Sequence, residues 1–213
     1  MDSLRARPPS LHAILDVDAA AAANWDSLDL ARAFLDGGAR LIQLRAKHLD
    51  SAPFLALCDA LVGAATPHGA DIIVNDRADL AEMSGAAGVH VGQDDLTPSA
   101  ARLLLGSDAV VGYSTHTVAQ IQAAAAEPVT YIAIGPVFGT RTKATGYDPV
   151  GLEQVAEAVR SSRGLPVVAI GGITLDTAPA VIAAGASSVA VIADLLSSAD
   201  PARRVRAFID ALA

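Results

Sequence analysis

Aromatic side chains are scarce: Phe, Trp and Tyr make up 4% of a 213-residue chain that is 52% hydrophobic. The apolar excess is therefore mostly Ala, Val, Leu and Ile, which let helices lie close on strands and are too abundant for a disordered tail. Cysteine is almost absent. Cys58 alone excludes an internal disulfide and fits a reducing cytoplasm; in a helix-like segment it reads as a small core residue before it reads as a nucleophile. Positive charge is the minority, 15 Lys and Arg against 23 Asp and Glu, for a net charge of −8. That balance opposes broad contact with nucleic acid or anionic lipid, so an anionic ligand must be held by local cations. Long apolar runs are missing too. Mean hydropathy is +0.41, yet a spanning helix needs about 20 consecutive apolar residues. The nearest stretch, Ala178 to Ala193, is broken by Gly185, Ser187 and Ser188 and closed by Asp194, and reads as a buried helix followed by a buried strand. Met1 to Ser10 carries Arg5 and Arg7 without a long apolar region or cleavage site, so no export signal is expected.

What is present is alternation. Strand candidates are Leu11–Leu15, Ala39–Leu44, Asp71–Val74, Gly88–Val91, Ala109–Gly112, Tyr131–Ile134, Pro166–Ile170 and Ser188–Ile192, mostly continuous apolar runs of the kind parallel strands show when covered on both faces. Segments of helical spacing follow at Leu28–Asp36, Pro53–Ala65, Ala78–Ser84, Thr97–Leu105, Thr117–Ala126, Gly151–Ser162, Leu175–Ala184 and Pro201–Leu212, while the Ala-rich patch Asp18 to Asn24 fits neither pattern. Thr97 with Pro98 reads as an N-cap and first helical position, and Gly37 and Gly106 as C-terminal caps. Eight strand–helix units at this length predict an α/β fold, a (β/α)8 TIM barrel, with a doubly wound open sheet as the alternative. No linker divides the chain, so one domain over 1–213 is expected, with 1–9 as an N-terminal extension.

A barrel of this kind builds its site at the C-terminal ends of its strands. Reading off that rim gives Asp16; Arg45 to Lys47; Asn75 to Arg77; Gly92 to Asp95; Ser114 to His116; Gly135 to Lys143; Gly171 and Gly172; and Ala193 and Asp194. At period two, Gln43, Arg45 and Lys47 share one face. They are either a solvated rim or an amide with two cations turned inward, where Gln43 would need a hydrogen-bond partner. Asp76 and Asp95 follow successive strands. As a pair they would need a cation between them, and Mg²⁺ takes one or two carboxylates plus phosphate oxygens; singly, they read as a helix cap and a loop residue. The segment Gly135 to Gly146 is either an ordinary connection or a lid carrying Thr140, Arg141, Thr142 and Lys143. Gly171-Gly172 either permits a tight turn or bares backbone N–H groups to a phosphate. His116 has capping, packing and functional readings. No Ser-His-Asp triad, zinc spacing or dinucleotide fingerprint is visible.

In order and spacing, Gln43-Leu-Arg-Ala-Lys47, Asn75-Asp-Arg77, Gly88-Val-His-Val-Gly-Gln-Asp-Asp95, Ser114-Thr-His116, Gly135-Pro-Val-Phe138, Thr140-Arg-Thr-Lys143, Ala169-Ile-Gly-Gly-Ile173 and Val189-Ala-Val-Ile192 resemble the thiamine-phosphate synthase family from about Leu11 to the C-terminus. The resemblance implies a cytoplasmic transferase that joins a hydroxymethylpyrimidine diphosphate to a thiazole phosphate and releases pyrophosphate. It implies that Gln43, Arg45, Lys47, Asn75, Ser114 and Lys143 hold the pyrimidine diphosphate, with Arg45, Lys47, Ser114 and Lys143 catalytic. By the same resemblance Asp76 and Asp95 bind Mg²⁺, and Thr140, Arg141, Thr142, Gly171, Gly172, Ile192 and Ala193 face the thiazole phosphate. Similar sequences often carry Pro at position 139 and Ser at position 193, where this chain has Gly139 and Ala193. The rival expectations are a thiazole tautomerase-like isomerase, a non-catalytic phosphate-binding relative, and another phosphate-binding barrel such as an epimerase. The first two could dispense with the acids or Lys143, and an epimerase would need acid–base pairs that are not visible.

Overall fold

The computed structural model describes residues 8–139 and 146–213. Its strands are β1 (Leu11–Asp16), β2 (Leu41–Arg45), β3 (Asp71–Asn75), β4 (Gly88–Val91), β5 (Val110–Thr115), β6 (Tyr131–Ile134), β7 (Val167–Ile170) and β8 (Ser188–Val191). Each pairs in parallel with the next, and β8 closes on β1 with His12 opposite Ala190, which excludes the open sheet. Around this barrel run α1 (Val17–Ala22), α2 (Ser27–Asp36), α3 (Ser51–Ala65), α4 (Ala78–Ser84), α5 (Pro98–Leu105), α6 (Val118–Ala124), α7 (Gly151–Ser161), α8 (Ala178–Ala183) and α9 (Pro201–Ala211). Among the described residues, no helix is long and apolar enough to cross a membrane.

Local chemistry explains the element ends. The Asp26 carboxylate accepts from the N–H groups of Leu28 and Asp29 and starts α2, whose Leu30, Ala31, Phe34 and Leu35 form one buried stripe. Thr97 caps α5 through the Ala100 N–H, with Pro98 behind it and Gly106 at the far end, as the spacing predicts. The Ala-rich patch is helical: α1 has no apolar stripe to reveal it, and its signal is Asp16, whose Oδ1 accepts from Ala19 N at 2.8 Å. Conversely, α8 begins later than its spacing predicts, because Thr174 N donates to Thr177 Oγ1 in a hydroxyl-closed turn at the expected first turn. β5 outruns its expected end at Gly112, since Tyr113, Ser114 and Thr115 pair with Ile132, Ala133 and Ile134. That extension puts Ser114 on a strand.

Two buried layers result. Between sheet and helices, outward side chains such as Leu15, Leu44, Val74 and Ile132 meet Phe34, Phe54, Leu61 and Phe208. Inside the barrel, Ile14, Leu41, Ile73, Val110, Ala133, Val168 and Ala190 surround Tyr131. Cys58 lies fully buried on α3; burial, helped by Asp59, pushes its thiol up to about 11 and fits the core reading.

Candidate active site

The C-terminal mouth of the barrel divides into two adjoining halves. One cleft is lined by Gln43, Arg45, Asn75, Ser114, Gly171, Gly172, Ile192 and Ala193 over a floor of Ile14, Ala133, Val168 and Ala190. The other is polar, lined by Lys47, Asp76, Gln93, Asp94 and Asp95. Asn75, His90, Ser114 and His116 line both and form their border. A ligand with an apolar ring and a charged tail could therefore lie across the two.

Strand period two explains the first cleft. Gln43 and Arg45 turn into the mouth, while Ile42, Leu44 and Ala46 pack under the helices. Gln43 is buried and has the partner that burial demands: its Nε2 lies 3.4 Å from His12 Nε2. Arg45 is ion-paired with Asp16, its register neighbour on β1, so the guanidinium is held in place at the rim.

In the polar half, Lys47 is ion-paired with Asp76. Asp76 has φ 65°, and its N–H donates to His90 O at 2.8 Å, which turns the chain sharply at the end of β3. Arg77, not Asp76, stands at the start of α4, so the helix-cap reading of Asp76 does not apply. Asp95 accepts from Gly92 N at 2.7 Å. Burial raises the Asp76 carboxyl above its usual range; Lys47 opposes this, and Asp95, within hydrogen-bond reach, adds to it. Two carboxylates that close call for a cation or a proton between them. Among the described residues no cluster of three or more His, Cys, Asp or Glu forms a metal cage. Mg²⁺ does not require one: two carboxylates, with phosphate oxygens and water completing the shell, are a donor set that suits it.

Gly171 and Gly172 have φ of 103° and 63°, and a Cβ on either would overlap the Pro136–Gly139 segment. Val137 N donates to Ile170 O at 2.8 Å and Phe138 N to Gly171 O at 2.9 Å. The tight-turn reading thus accounts for both glycines, and the backbone they bare lines the cleft. His116 clasps the same region. Its Nδ1 lies 2.6 Å from Gly135 O, and its ring stacks on Tyr147 at 4.0 Å, so it joins the two sides of the long loop.

Arg77 turns away to Asp79 and Ser51, and Asp194, at the edge of the cleft, is tied to Arg204 and to Leu175 N, so both rim residues are engaged by polar partners within the protein. Thr140, Arg141, Thr142 and Lys143 lie outside the described residues. Sequence reasoning overlooked His12, His90, Tyr131 and Tyr147. A signal existed for two of them: His12 and His90 are polar residues inside otherwise apolar strands, and a buried polar group demands a partner.

The sequence family described as thiamine monophosphate synthase matches residues 11–195. The chain is 44% identical over 206 residues to the thiamine-phosphate synthase of Koribacter versatilis, covering 96% of each chain. It is 41% identical over 196 residues to that of Roseiflexus castenholzii, covering 92% of this chain and 86% of the other. Among solved structures, thiamine phosphate pyrophosphorylase from Pyrococcus furiosus superposes with a TM-score of 0.88 at 27% identity, covering 99% of this chain and 98% of that one. A closed eight-stranded barrel with acids and cations at its mouth, matched along nearly its whole length, places this chain in the thiamine monophosphate synthase family.

Proposed function

We propose that this protein is a thiamine-phosphate synthase: a transferase that joins 4-amino-2-methyl-5-hydroxymethylpyrimidine diphosphate to 4-methyl-5-(2-phosphoethyl)thiazole, forming thiamine phosphate and pyrophosphate. The observation that carries this reading is the Asp76–Asp95 pair with Lys47 beside it, opening directly onto a cleft with an apolar floor. Neither an isomerase nor a non-catalytic relative needs that charge arrangement. The chain acts as a single domain on small-molecule substrates, in the cytoplasm.

Asp76 and Asp95 would hold Mg²⁺, which when bound neutralises the pyrophosphate as it leaves. Gln43, Arg45, Lys47, Asn75, Ser114 and Lys143 hold the pyrimidine diphosphate. Arg45, pre-set by Asp16, and Lys47, beside Asp76, meet the charge that builds on the departing oxygens. Ser114 donates from the border between the halves. The bond between the pyrimidine methylene and the diphosphate oxygen breaks early, and the thiazole nitrogen adds to the methylene cation; no proton need change hands. The thiazole phosphate rests on the backbone at Gly171, Gly172, Ile192 and Ala193, and the family resemblance adds Thr140, Arg141 and Thr142 as its further partners. A site of this kind needs no protein nucleophile.

The test mixes both phosphorylated halves with Mg²⁺ and the protein and follows thiamine phosphate and pyrophosphate. Both products are expected, and Asp76→Ala or Asp95→Ala should lower the rate by about 10²–10³, the scale of removing one preorganised electrostatic contact. A folded protein that makes no thiamine phosphate, or variants with undiminished Mg²⁺-dependent pyrophosphate release, would refute the reading.

A further inference from the structure

Five polar side chains cross the lumen beneath the mouth: His12 on β1, Gln43 on β2, Tyr131 on β6, His90 on β4 and Ser114 on β5. Gln43 Nε2 lies 3.4 Å from His12 Nε2, and the Gln43 amide lies beside the Tyr131 phenol. His90 then bridges two hydroxyls, with Nδ1 2.9 Å from Tyr131 Oη and Nε2 2.8 Å from Ser114 Oγ. The His90 and Tyr131 rings stack with centroids 5.6 Å apart. Gly112 makes room for this contact: a Cβ there would overlap both the Tyr131 phenol and His90 Nδ1.

The chain of hydrogen bonds has a direction. A phenol carries one proton, and burial holds Tyr131 in that protonated form. The hydrogen bond that the geometry gives that proton is to His90 Nδ1, 2.9 Å from Tyr131 Oη. The opposite arrangement would strand that proton among Ile14, Ile73, Val110 and Val168, at the cost of an unsatisfied buried donor. His90 Nδ1 is therefore the acceptor, and a neutral imidazole must carry its hydrogen on Nε2, facing Ser114.

We infer that His90 is a positioning residue for Ser114: held by Tyr131 as its Nε2–H tautomer, it donates to Ser114 Oγ, so that the Ser114 hydroxyl turns its own proton to the substrate. The other tautomer would draw that proton down to His90 and leave only lone pairs facing an anion. The inference rests on the proposal that the mouth binds a diphosphate, but the tautomer itself does not.

The tautomer is tested first, on the free protein. Two-bond proton–nitrogen spectra of ¹⁵N-labelled protein, with His90 assigned by its loss in His90→Gln, should show a neutral Nε2–H imidazole. An Nδ1–H form or an exchanging mixture overturns the inference, whatever the activity. In Tyr131→Phe, the preference for Nε2–H should be lost; its persistence would show that Tyr131 does not set it. Kinetics test the consequence. His90→Phe should lower kcat about tenfold, the scale of one hydrogen bond, with KM nearly unchanged. His90→Gln, which keeps an N–H donor near the Nε2 position, should recover most of the loss. In a Ser114→Ala background, His90→Phe should cost nothing further. An equal loss in both backgrounds would mean that His90 acts through packing and would overturn the inference. Should His90→Phe not fold, the same cycle with Tyr131→Phe and Ser114→Ala decides it in the same way. Absence of thiamine phosphate synthesis together with the Nε2–H tautomer would refute the proposed function and leave the relay standing.

Discussion

The space between the barrel and its helices and the space inside the barrel are both buried, yet opposite kinds of residue fill them. The outer layer is apolar almost throughout, with Phe34, Leu61 and Phe208 fully enclosed against outward strand residues. The lumen mixes a few apolar side chains with His12, Gln43, His90 and Tyr131, and it opens upward into the charged mouth. The outer layer holds the strands in a circle by close packing. The lumen gives up part of that packing to hold polar groups in fixed directions beneath the substrate. Stability and activity should therefore respond separately to substitutions in the two layers.

The largest expected effect is in the outer layer. Phe34→Ala on α2 should destabilise the protein by about 3–5 kcal/mol, through lost burial and the cavity left behind. Denaturant unfolding measures the loss, and turnover per folded molecule should stay unchanged. A variant of near-native stability but impaired turnover would break the separation.

The lumen should show itself through pH. Complete burial lowers His12 from 6.5 to about 4, so the folded protein keeps it neutral while the unfolded chain protonates it. The unfolded state thus binds more protons between those values, and stability falls as pH falls through that window. Between pH 7 and pH 5 this amounts to about 2 kcal/mol. His12→Phe should remove that share of the acid sensitivity while keeping a ring against Tyr131, 5.7 Å away in the wild-type protein. Unfolding midpoints of both proteins at the two pH values measure it; parallel losses would show that His12 is not the group responsible.

The outer layer was the more legible in sequence. Continuous apolar strands, a capped α5 and the regular return of β and α segments specify the barrel, and the rim then follows from chain order alone. Arg45, Lys47, Asp76, Asp95 and Ser114 could be named on that basis. Their pairing could not. That Arg45 leans on Asp16 and Lys47 on Asp76 depends on how far each strand runs and how its register meets the next. The lumen was hardest to read. Gly112 matters because Tyr131 and His90 fill its empty side-chain position from two other strands, and no local pattern encodes such a meeting. α1 escaped notice because helical periodicity needs contrast, and a run of alanines has none.

The smallest predicted effect concerns the one residue whose chemistry could blur the division. Cys58 is a nucleophile by type, but it sits on α3 in the outer layer, fully enclosed. With its thiol pushed up to about 11, the thiolate fraction at pH 7 is on the order of 10⁻⁴. Cys58→Ala should therefore leave turnover unchanged and cost about 1 kcal/mol, the scale of deleting one heavy atom from a packed core. In the wild-type protein, iodoacetamide should label the thiol only as fast as the chain unfolds, so labelling and unfolding should share one dependence on denaturant. Rapid labelling of the native protein, or lost turnover in Cys58→Ala, would mean that reactive chemistry is not confined to the lumen and mouth.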